Sequence, residues 1–228
     1  MKPEFDTFAE EYNAVNNTDA MRVTGFPLEY FTNYKADDIC REIAANQLGP
    51  EKFLDFGCGI GNTLKSLSSR VPDLKLFGAE VSASSLELAK SRGIPAELAF
   101  IESALPFADA SFDVTFASCV FHHIPDVQQG KWADELFRVT DQNGMVMIYE
   151  HNPFNPVTRH VFANSPFDVN AKMLTPSMLK TLLRNAGFRD LRVKYRVFFP
   201  KALHWLLFAE RALTWLPLGA QFYITGKK

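Results

Sequence analysis

The sequence feature that most constrains the fold is a glycine-rich turn within residues 53–64, FLDFGCGIGNTL. An apolar, strand-like run leads into three glycines, and a helix-compatible run follows them. Because glycine has no Cβ, the backbone can bend sharply there or approach a ligand closely. A strand, a tight turn and a helix start form the nucleotide-binding unit of α/β proteins. The turn therefore predicts an α/β fold with a nucleotide-like ligand.

The spacing of the glycines narrows the choice of ligand. They stand at positions 57, 59 and 61, whereas a dinucleotide-binding loop of the Gly-x-Gly-x-x-Gly type would need its third glycine where this chain has Asn62. Nicotinamide binding, and with it a dehydrogenase, is therefore disfavoured. Asp55 lies two residues before the first glycine, where a carboxylate suits a cationic group better than a pyrophosphate.

A second acidic residue follows at the distance expected for the end of the next parallel strand. The apolar run LKLFGA at residues 74–79 ends at Glu80, nineteen residues after Gly61. A carboxylate at this place can accept hydrogen bonds from both hydroxyls of a ribose. Glu80 is therefore predicted to bind a ribose.

The turn and Glu80 together resemble the class I S-adenosylmethionine-dependent methyltransferases. Residues 55–61 match that family's glycine-rich first motif, and Glu80 matches its ribose-binding acid. The resemblance continues through LPF at 105–107, SFD at 111–113 and VFHHIPD at 120–126, as in the branch that acts on small molecules and quinone precursors. It implies S-adenosylmethionine as cofactor and direct in-line methyl transfer, without a metal, to a small molecule. The aromatic content of the chain suggests an apolar or lipid-linked acceptor.

The resemblance also implies a fold and a set of cofactor-binding residues. The fold is α/β, with a Rossmann-like, seven-stranded, mainly parallel sheet, helices on both faces and an N-terminal helical cap. In the family an aromatic residue near Tyr12 often covers the cofactor, but Tyr12 is equally well explained as a packing residue. The family's adenine-binding acid aligns with Ile101, so either the adjacent Glu102 or the backbone alone would hold the adenine. The predicted cofactor-binding residues are Asp55, Gly57, Cys58, Gly59, Gly61, Glu80, Val81, Glu102, Ser118 and Tyr12.

The order of apolar runs and amphipathic runs predicts the topology. Helical patterns cover residues 4–48 with a break at 25–27, and strands alternate with helices after them. The predicted strands lie near 51–56, 74–80, 96–100, 112–118, 144–150, 191–198 and 221–225, and the predicted core helices lie near 61–70, 83–92, 127–140 and 175–186. A turn is predicted at DQNG, residues 141–144. Such alternation favours a parallel sheet whose ligand crevice lies at the carboxyl ends of the strands.

Three histidines are candidates for a general base. His122 and His123 follow the fourth strand, where this family usually uses such a pair structurally. His151 lies in the loop EHNPFNP at residues 150–156, after the fifth strand. Packing does not require so many polar groups there, although they could simply tie down irregular backbone. We expect His151 to be the base, and this loop with Arg159, His160 and Asp168 to hold the acceptor.

Composition excludes several classes of partner. The 228 residues suit one methyltransferase domain over 1–228, with a helical cap at 1–48, a core at 50–228 and a helical insert near 200–216. A net charge of −2 offers no general attraction to nucleic acid. The three cysteines have no paired spacing, which argues against a structural metal site, and the first residues lack the apolar core of a signal peptide. We therefore expect a cytoplasmic protein, monomeric or homodimeric.

The apolar insert at residues 201–215 and the function each leave an alternative open. The insert is too short to cross a bilayer, but it could lie on a membrane surface through residues such as Trp205 and Phe208. A helix packed on the sheet or at a homodimer contact is the more ordinary prediction. The alternative function is a non-catalytic adenosylmethionine-binding or interaction protein on the same fold.

Overall fold

The computed structural model describes residues 12–228. The side chain of Tyr12, which was predicted to cover the cofactor, lies outside the part that it describes. The elements alternate between helices and strands along most of the chain. Their bounds are α1 Tyr12–Thr24, α2 Leu28–Ala45, β1 Lys52–Phe56, α3 Asn62–Ser68, β2 Lys75–Glu80, α4 Ala83–Ser91, β3 Glu97–Phe100, β4 Phe112–Ser118, α5 Asp126–Val139, β5 Thr140–His151, α6 Pro156–Ala163, α7 Pro176–Ala186, β6 Arg189–Arg196 and β7 Gln221–Lys227. Two 3₁₀ segments, Phe121–His123 and Lys201–Leu213, complete the set. The predicted break at residues 25–27 lies between α1 and α2.

The strands form one seven-stranded sheet in the order β3-β2-β1-β4-β5-β7-β6. The first five strands of this order are parallel, and β7 is antiparallel to both β5 and β6. The predicted fold class, a Rossmann-like and mainly parallel sheet of seven strands, is confirmed. Because β1, β2, β4 and β5 run in one direction, the residues that follow them meet at one edge of the sheet.

Helices cover both faces of the sheet, and the alternation within β1 shows how. Phe53 packs with residues of α2, α3 and α4, whereas its neighbour Leu54 packs with residues of α5 and α7. Both side chains are fully buried. Full burial of such a side chain contributes about 1.5–3 kcal/mol. A strand that is buried on both faces reads as a continuous apolar run, which is why β1 was recognisable in the sequence.

Buried ion pairs fix α2 against the sheet. Asp38 accepts hydrogen bonds from Arg196 Nε at 2.8 Å and Nη2 at 2.9 Å, and it also accepts one from the hydroxyl of Tyr149. One turn further along α2, Glu42 accepts from Lys194 Nζ and from the hydroxyl of Tyr223 at 2.5 and 2.7 Å. These contacts hold the carboxyl-terminal half of α2 against β5, β6 and β7.

The structure differs from the sequence prediction at two places. Residues 141–144, predicted as a turn, lie inside β5 as an irregularity in its pairing with β4, and the Asp141 side chain accepts from the backbone N–H of Asn143. The segment Lys201–Leu213 is a 3₁₀ helix with a kink at Leu203 instead of an α-helix. It is also mostly exposed, so the expected packing of an amphipathic helix onto the sheet is not what the structure shows.

Candidate active site

The three positions of the turn require glycine for different structural reasons. All three have positive φ angles, at 72°, 52° and 76°. A Cβ on Gly57 would lie 2.5 Å from Val120 Cγ2, and one on Gly61 would lie 2.9 Å from Ile94 Cγ1. A Cβ on Gly59 would meet nothing within 4 Å. Only Gly59 therefore faces open space that a ligand could fill, while the other two allow protein side chains to pack closely.

We expect Gly59→Ala to weaken adenosylmethionine binding at least about tenfold, because the new methyl group would project into that open space. Gly93→Ala is the matched control, since Gly93 also has a positive φ, 63°, and open space around its missing Cβ, but it follows α4. Calorimetric titration of both variants measures the difference. Equal losses of affinity would mean that backbone strain, and not the ligand, explains Gly59.

Glu80 ends β2 beside the turn and organises its backbone. Its carboxylate accepts from the N–H of Gly59 at 2.9 Å, of Val81 at 2.8 Å and of Ser82 at 2.9 Å. The side chain is almost fully buried. A carboxylate has about four acceptor positions, so it can bind a ribose hydroxyl in addition to backbone donors. The acid predicted from the sequence thus lies against the glycine turn.

Lys35 of α2 reaches the same edge and was not predicted from the sequence. Its Nζ donates to Ser118 Oγ at 2.7 Å, at the end of β4. Nearby, burial raises the pKa of Asp55 to about 8, against the lowering effect of Lys35 and together with the raising effect of Glu80. Asp55 therefore favours a cationic neighbour, since an added positive charge stabilises its charged form. Lys35 supplies a positive charge and Asp55 becomes negative when a cationic group approaches, so the two side chains suit the two ends of a zwitterionic ligand.

Val81 and Glu102, which were also predicted to bind the cofactor, are both exposed. Val81 is exposed beside Glu80, and so is Phe100, which pairs with Glu80 across β2 and β3. Each is an exposed apolar side chain next to Glu80 that a planar base could pack on, and Phe100 was not predicted from the sequence. Glu102 is exposed to solvent, whereas Ile101 before it is buried.

Cys58 contributes its backbone to the turn. A Cβ on Gly78 would lie 2.7 Å from Cys58 Sγ, so the thiol packs against the bare backbone of β2. The Cys58 N–H donates to the carbonyl of Ala79 at 3.2 Å. Its side chain belongs to the core and is not available to a ligand.

A buried histidine cluster follows β4 and β5. His122 Nδ1 lies 2.5 Å from Glu150 Oε2, and Glu150 Oε1 accepts from the N–H of Phe121 at 2.9 Å. Asp168 Oδ1 lies 3.3 Å from His122 Nε2 and 3.5 Å from His123 Nε2. Because a carboxylate can only accept, the His122 ring donates to Glu150. Glu150, predicted as part of an acceptor loop, thus positions His122.

The two adjacent histidines have opposite charge preferences. Burial lowers the pKa of His122, but Glu150 and Asp168 raise it by more, to about 10. Burial and the neighbouring charge of His122 lower the pKa of His123 to about 4. At neutral pH His122 is therefore a cation held by two carboxylates, and His123 is neutral. A permanently protonated His122 cannot serve as a general base.

His151 forms a pair with Cys119. Burial lowers the pKa of His151, but the Cys119 sulfur raises it by more, through its charge and a hydrogen bond. Burial raises the pKa of Cys119, whereas Lys35 and His151 lower it to about 6. Cys119 also has a positive φ of 58°, uncommon for a residue with a side chain. Lys35 also lowers the pKa of Asp55, so its charge acts both on the Cys119–His151 pair and on the predicted cofactor site.

The two asparagines after β5 have structural roles. Asn152 is buried and donates to the carbonyls of Pro217 and Gly219 at 3.1 and 2.7 Å. Asn155 caps α6 by accepting from the N–H of Thr158 at 3.0 Å. Of the two explanations given for this loop, tying down irregular backbone fits both asparagines.

A cleft of about 590 Å³ lies beside α6. Its lining includes three basic side chains, Arg159, His160 and Lys172, and two apolar ones, Phe162 and Met173. The opposite side of the Phe162 ring faces the cluster, since its centroid lies 5.5 Å from that of His122. The cleft therefore adjoins the histidines and combines positive charge with apolar surface.

One group within residues 12–228 has the side chains of a metal site. The donor atoms of His122, His123 and Asp168 lie within 4.8 Å of one another. His122 contacts both Glu150 and Asp168, and its pKa is raised, so a cation would have to displace a proton to bind its ring. The prediction that no metal takes part in the chemistry remains to be tested.

The chain is similar in sequence to known methyltransferases. A family model for the methyltransferase domain matches residues 54–148. The demethylmenaquinone methyltransferase of Thermotoga maritima is 28% identical over 152 residues, which cover 66% of this chain and 61% of that protein. A Pseudomonas putida protein named "Probable fatty acid methyltransferase" is 26% identical over 184 residues, covering 75% of this chain and 46% of that protein. The chain thus spans about half the length of these curated relatives.

The fold comparison covers nearly the whole chain. A solved structure from Thermotoga maritima, described as a "SAM-dependent methyltransferase, possible histamine N-methyltransferase", has a TM-score of 0.69, with 98% of each chain covered at 21% identity. The glycine turn and the acid at the carboxyl edge of a parallel sheet are features of nucleotide-binding α/β folds. More particularly, residues 54–148 match the methyltransferase-domain model, and the fold is similar to that of a solved S-adenosylmethionine-dependent methyltransferase.

Proposed function

We propose that the protein transfers the methyl group of S-adenosylmethionine to a small-molecule acceptor with an apolar portion. The observation that carries the proposal is the convergence of two sets of groups at one sheet edge. Glu80, Gly59 and Asp55 form one set, and the Cys119–His151 pair forms the other. Lys35 lies between them. A protein that only bound the cofactor would not need the second set.

The residues fit the cofactor by their chemistry. Glu80 would accept from its ribose, the open side of Gly59 would admit it, and Asp55 and Lys35 would hold the oppositely charged groups of its methionine part. When bound, the cofactor supplies a methyl group that is already activated by its positive sulfur. The chain would align the acceptor behind that methyl group, and orientation of this kind contributes about 7–11 kcal/mol.

His151 is the residue we propose to accept the proton of the acceptor. The Cys119 sulfur raises the pKa of His151, so the ring acts as a base once it has lost its proton. The acceptor atom then forms its bond to the methyl carbon while the carbon–sulfur bond breaks. Proton transfer to a positioned base contributes about 10²–10⁴-fold to such rates. His123, which is neutral, is the second candidate.

The acceptor class follows from the cleft beside α6. Arg159 favours an anionic group, whereas Lys172 is already paired with Asp126, and Phe162 and Met173 favour an apolar chain or ring. The similarity to the Pseudomonas putida protein named "Probable fatty acid methyltransferase" supports an apolar acceptor. We further propose that the enzyme is a cytoplasmic, single-domain protein, monomeric or homodimeric. No helix in the described part of the chain is long and apolar enough to cross a membrane.

Removal of metal ions is expected to leave the rate unchanged. The methyl group needs no Lewis acid, and Glu150 and Asp168 already contact His122. Turnover would be measured after dialysis against a strong chelator and again after addition of Mg²⁺, Mn²⁺ or Zn²⁺. A loss of activity that one of these ions restores would contradict the metal-free mechanism.

The proposal is tested by a search for the acceptor. Cell extract is incubated with the protein and labelled S-adenosylmethionine, and metabolites whose mass rises by one methyl group are identified. We expect at least one such product in the organic-soluble fraction. Cofactor binding without methylation of any extract component would favour the non-catalytic alternative.

A further inference from the structure

Residues 201–218 form an exposed apolar surface that the methyl-transfer site does not use. The exposed fraction is 62% for Trp205, 80% for Phe208, 72% for Trp215 and 59% for Leu218. Single exposed apolar residues are common, but contiguous runs of large ones mark interaction sites. Trp205 and Phe208 lie on the 3₁₀ helix Lys201–Leu213, and Trp215 and Leu218 follow it.

The basic residues of this segment are exposed, whereas its acidic residue is buried. Its exposed charged residues are the basic Lys201 and Arg211, with His204 between them. Its one acid, Glu210, is buried and accepts hydrogen bonds from the hydroxyl of Tyr34 and from the N–H of Phe198 at 2.8 Å. The outward side is therefore apolar and cationic, without a carboxylate.

Hydrogen bonds join this surface to the loop beside the histidine cluster. Asn155 Nδ2 donates to the carbonyl of Leu218 at 2.7 Å, and Asn152 Nδ2 donates to that of Pro217. Next to these asparagines, Phe154 and Val157 are also exposed. The apolar surface thus continues to the start of α6, whose next turn lines the basic cleft.

We propose that residues 201–218, together with Phe154 and Val157, lie on the surface of an anionic lipid bilayer, from which an amphiphilic acceptor enters the cleft. Trp and Phe side chains insert at the boundary of head groups and acyl chains, and basic residues are attracted to anionic lipids. A second copy fits this surface less well, because a two-fold contact would bring two cationic surfaces without carboxylates together. The inference rests on the proposed function for the acceptor, but the binding itself does not.

Vesicle flotation tests the proposal. The full chain is mixed with phosphatidylcholine vesicles, with or without about one third phosphatidylglycerol, at low and high salt. We expect binding to the anionic vesicles, weaker binding at high salt, and at least about tenfold weaker binding for the double variant Trp205→Ser and Phe208→Ser. Val127→Ser is the matched control, since Val127 is exposed on α5, outside this surface. It should bind like the parent.

Cofactor titration separates failure of this inference from failure of the proposed function. The double variant should bind S-adenosylmethionine like the parent, which also shows that it is folded. If the parent fails to float with any vesicle while it still binds cofactor, the surface proposal is wrong and the proposed function is unaffected. Light scattering that shows a dimer in the parent and a monomer in the double variant would instead assign the surface to a second copy.

Discussion

Glu80→Ala is expected to lower the affinity for S-adenosylmethionine by more than about tenfold. Loss of a hydrogen bond to a charged group costs about 1.5–3 kcal/mol, and each 1.4 kcal/mol is tenfold in affinity. The substitution also removes the acceptor for the N–H groups of Gly59, Val81 and Ser82, so the turn would lose the contacts that shape it. Both effects weaken cofactor binding, and calorimetric titration measures their sum.

Two further variants test whether the effect depends on the negative charge of Glu80. Glu80→Gln keeps one oxygen acceptor without the charge, so it should bind the cofactor with an affinity between those of the parent and Glu80→Ala. Glu97→Ala removes an exposed acid at the start of β3 and should change nothing. If Glu80→Ala binds as tightly as the parent, the ribose is held elsewhere and the site is wrongly placed.

His151→Ala is expected to slow methyl transfer by about 10²–10⁴-fold while leaving cofactor affinity nearly unchanged. A base acts on the acceptor during the reaction, so its loss appears in kcat more than in binding. His123→Ala and His122→Ala are the comparisons. If the rate depends on His123 and not on His151, the base follows β4. If neither variant changes the rate, the acceptor is already nucleophilic and the protein works by orientation alone.

The pH dependence of the methyl-transfer rate also tests the role of the Cys119–His151 pair. A base must be deprotonated, and the pKa of His151 is raised, so the rate should rise with pH through a midpoint above the ordinary value of 6.5 for histidine. Cys119→Ser removes the negative charge that raises this pKa, while the lowering effect of burial remains. The midpoint should therefore move to lower pH. A midpoint that stays in place would show that the sulfur does not influence the base.

Much of the fold could be predicted because the sheet is buried on both sides. Strands such as β1 and β4 are continuous apolar runs, and the ends of β1 and β2 are marked by the glycine turn and by Glu80. Local patterns were sufficient for these elements. They were not sufficient for residues 141–144, which form a bulge within β5 where its pairing with β4 passes from Thr140 to Met145, instead of a turn between two elements.

The side chains of the site were only partly predictable, since several of them meet through tertiary contacts. Lys35 lies on a helix far from β4 in sequence, and only the ion pairs of α2 bring it to Ser118. The pairing of Cys119 with His151 joins the ends of two strands and leaves no spacing signal. Conversely, the sequence pattern suggested that Gly57 and Gly61 face a ligand. In the structure these positions require glycine because a Cβ would lie too close to Val120 and Ile94.

The central claim, that the crevice binds S-adenosylmethionine, is tested most directly by calorimetric titration of the unmodified protein with this cofactor and, separately, with NADH. We predict saturable binding of one S-adenosylmethionine per chain, competition by S-adenosylhomocysteine, and no heat of binding with NADH, because Asn62 stands where a dinucleotide loop needs glycine. A folded protein that binds NADH, or that binds neither ligand, would contradict the account.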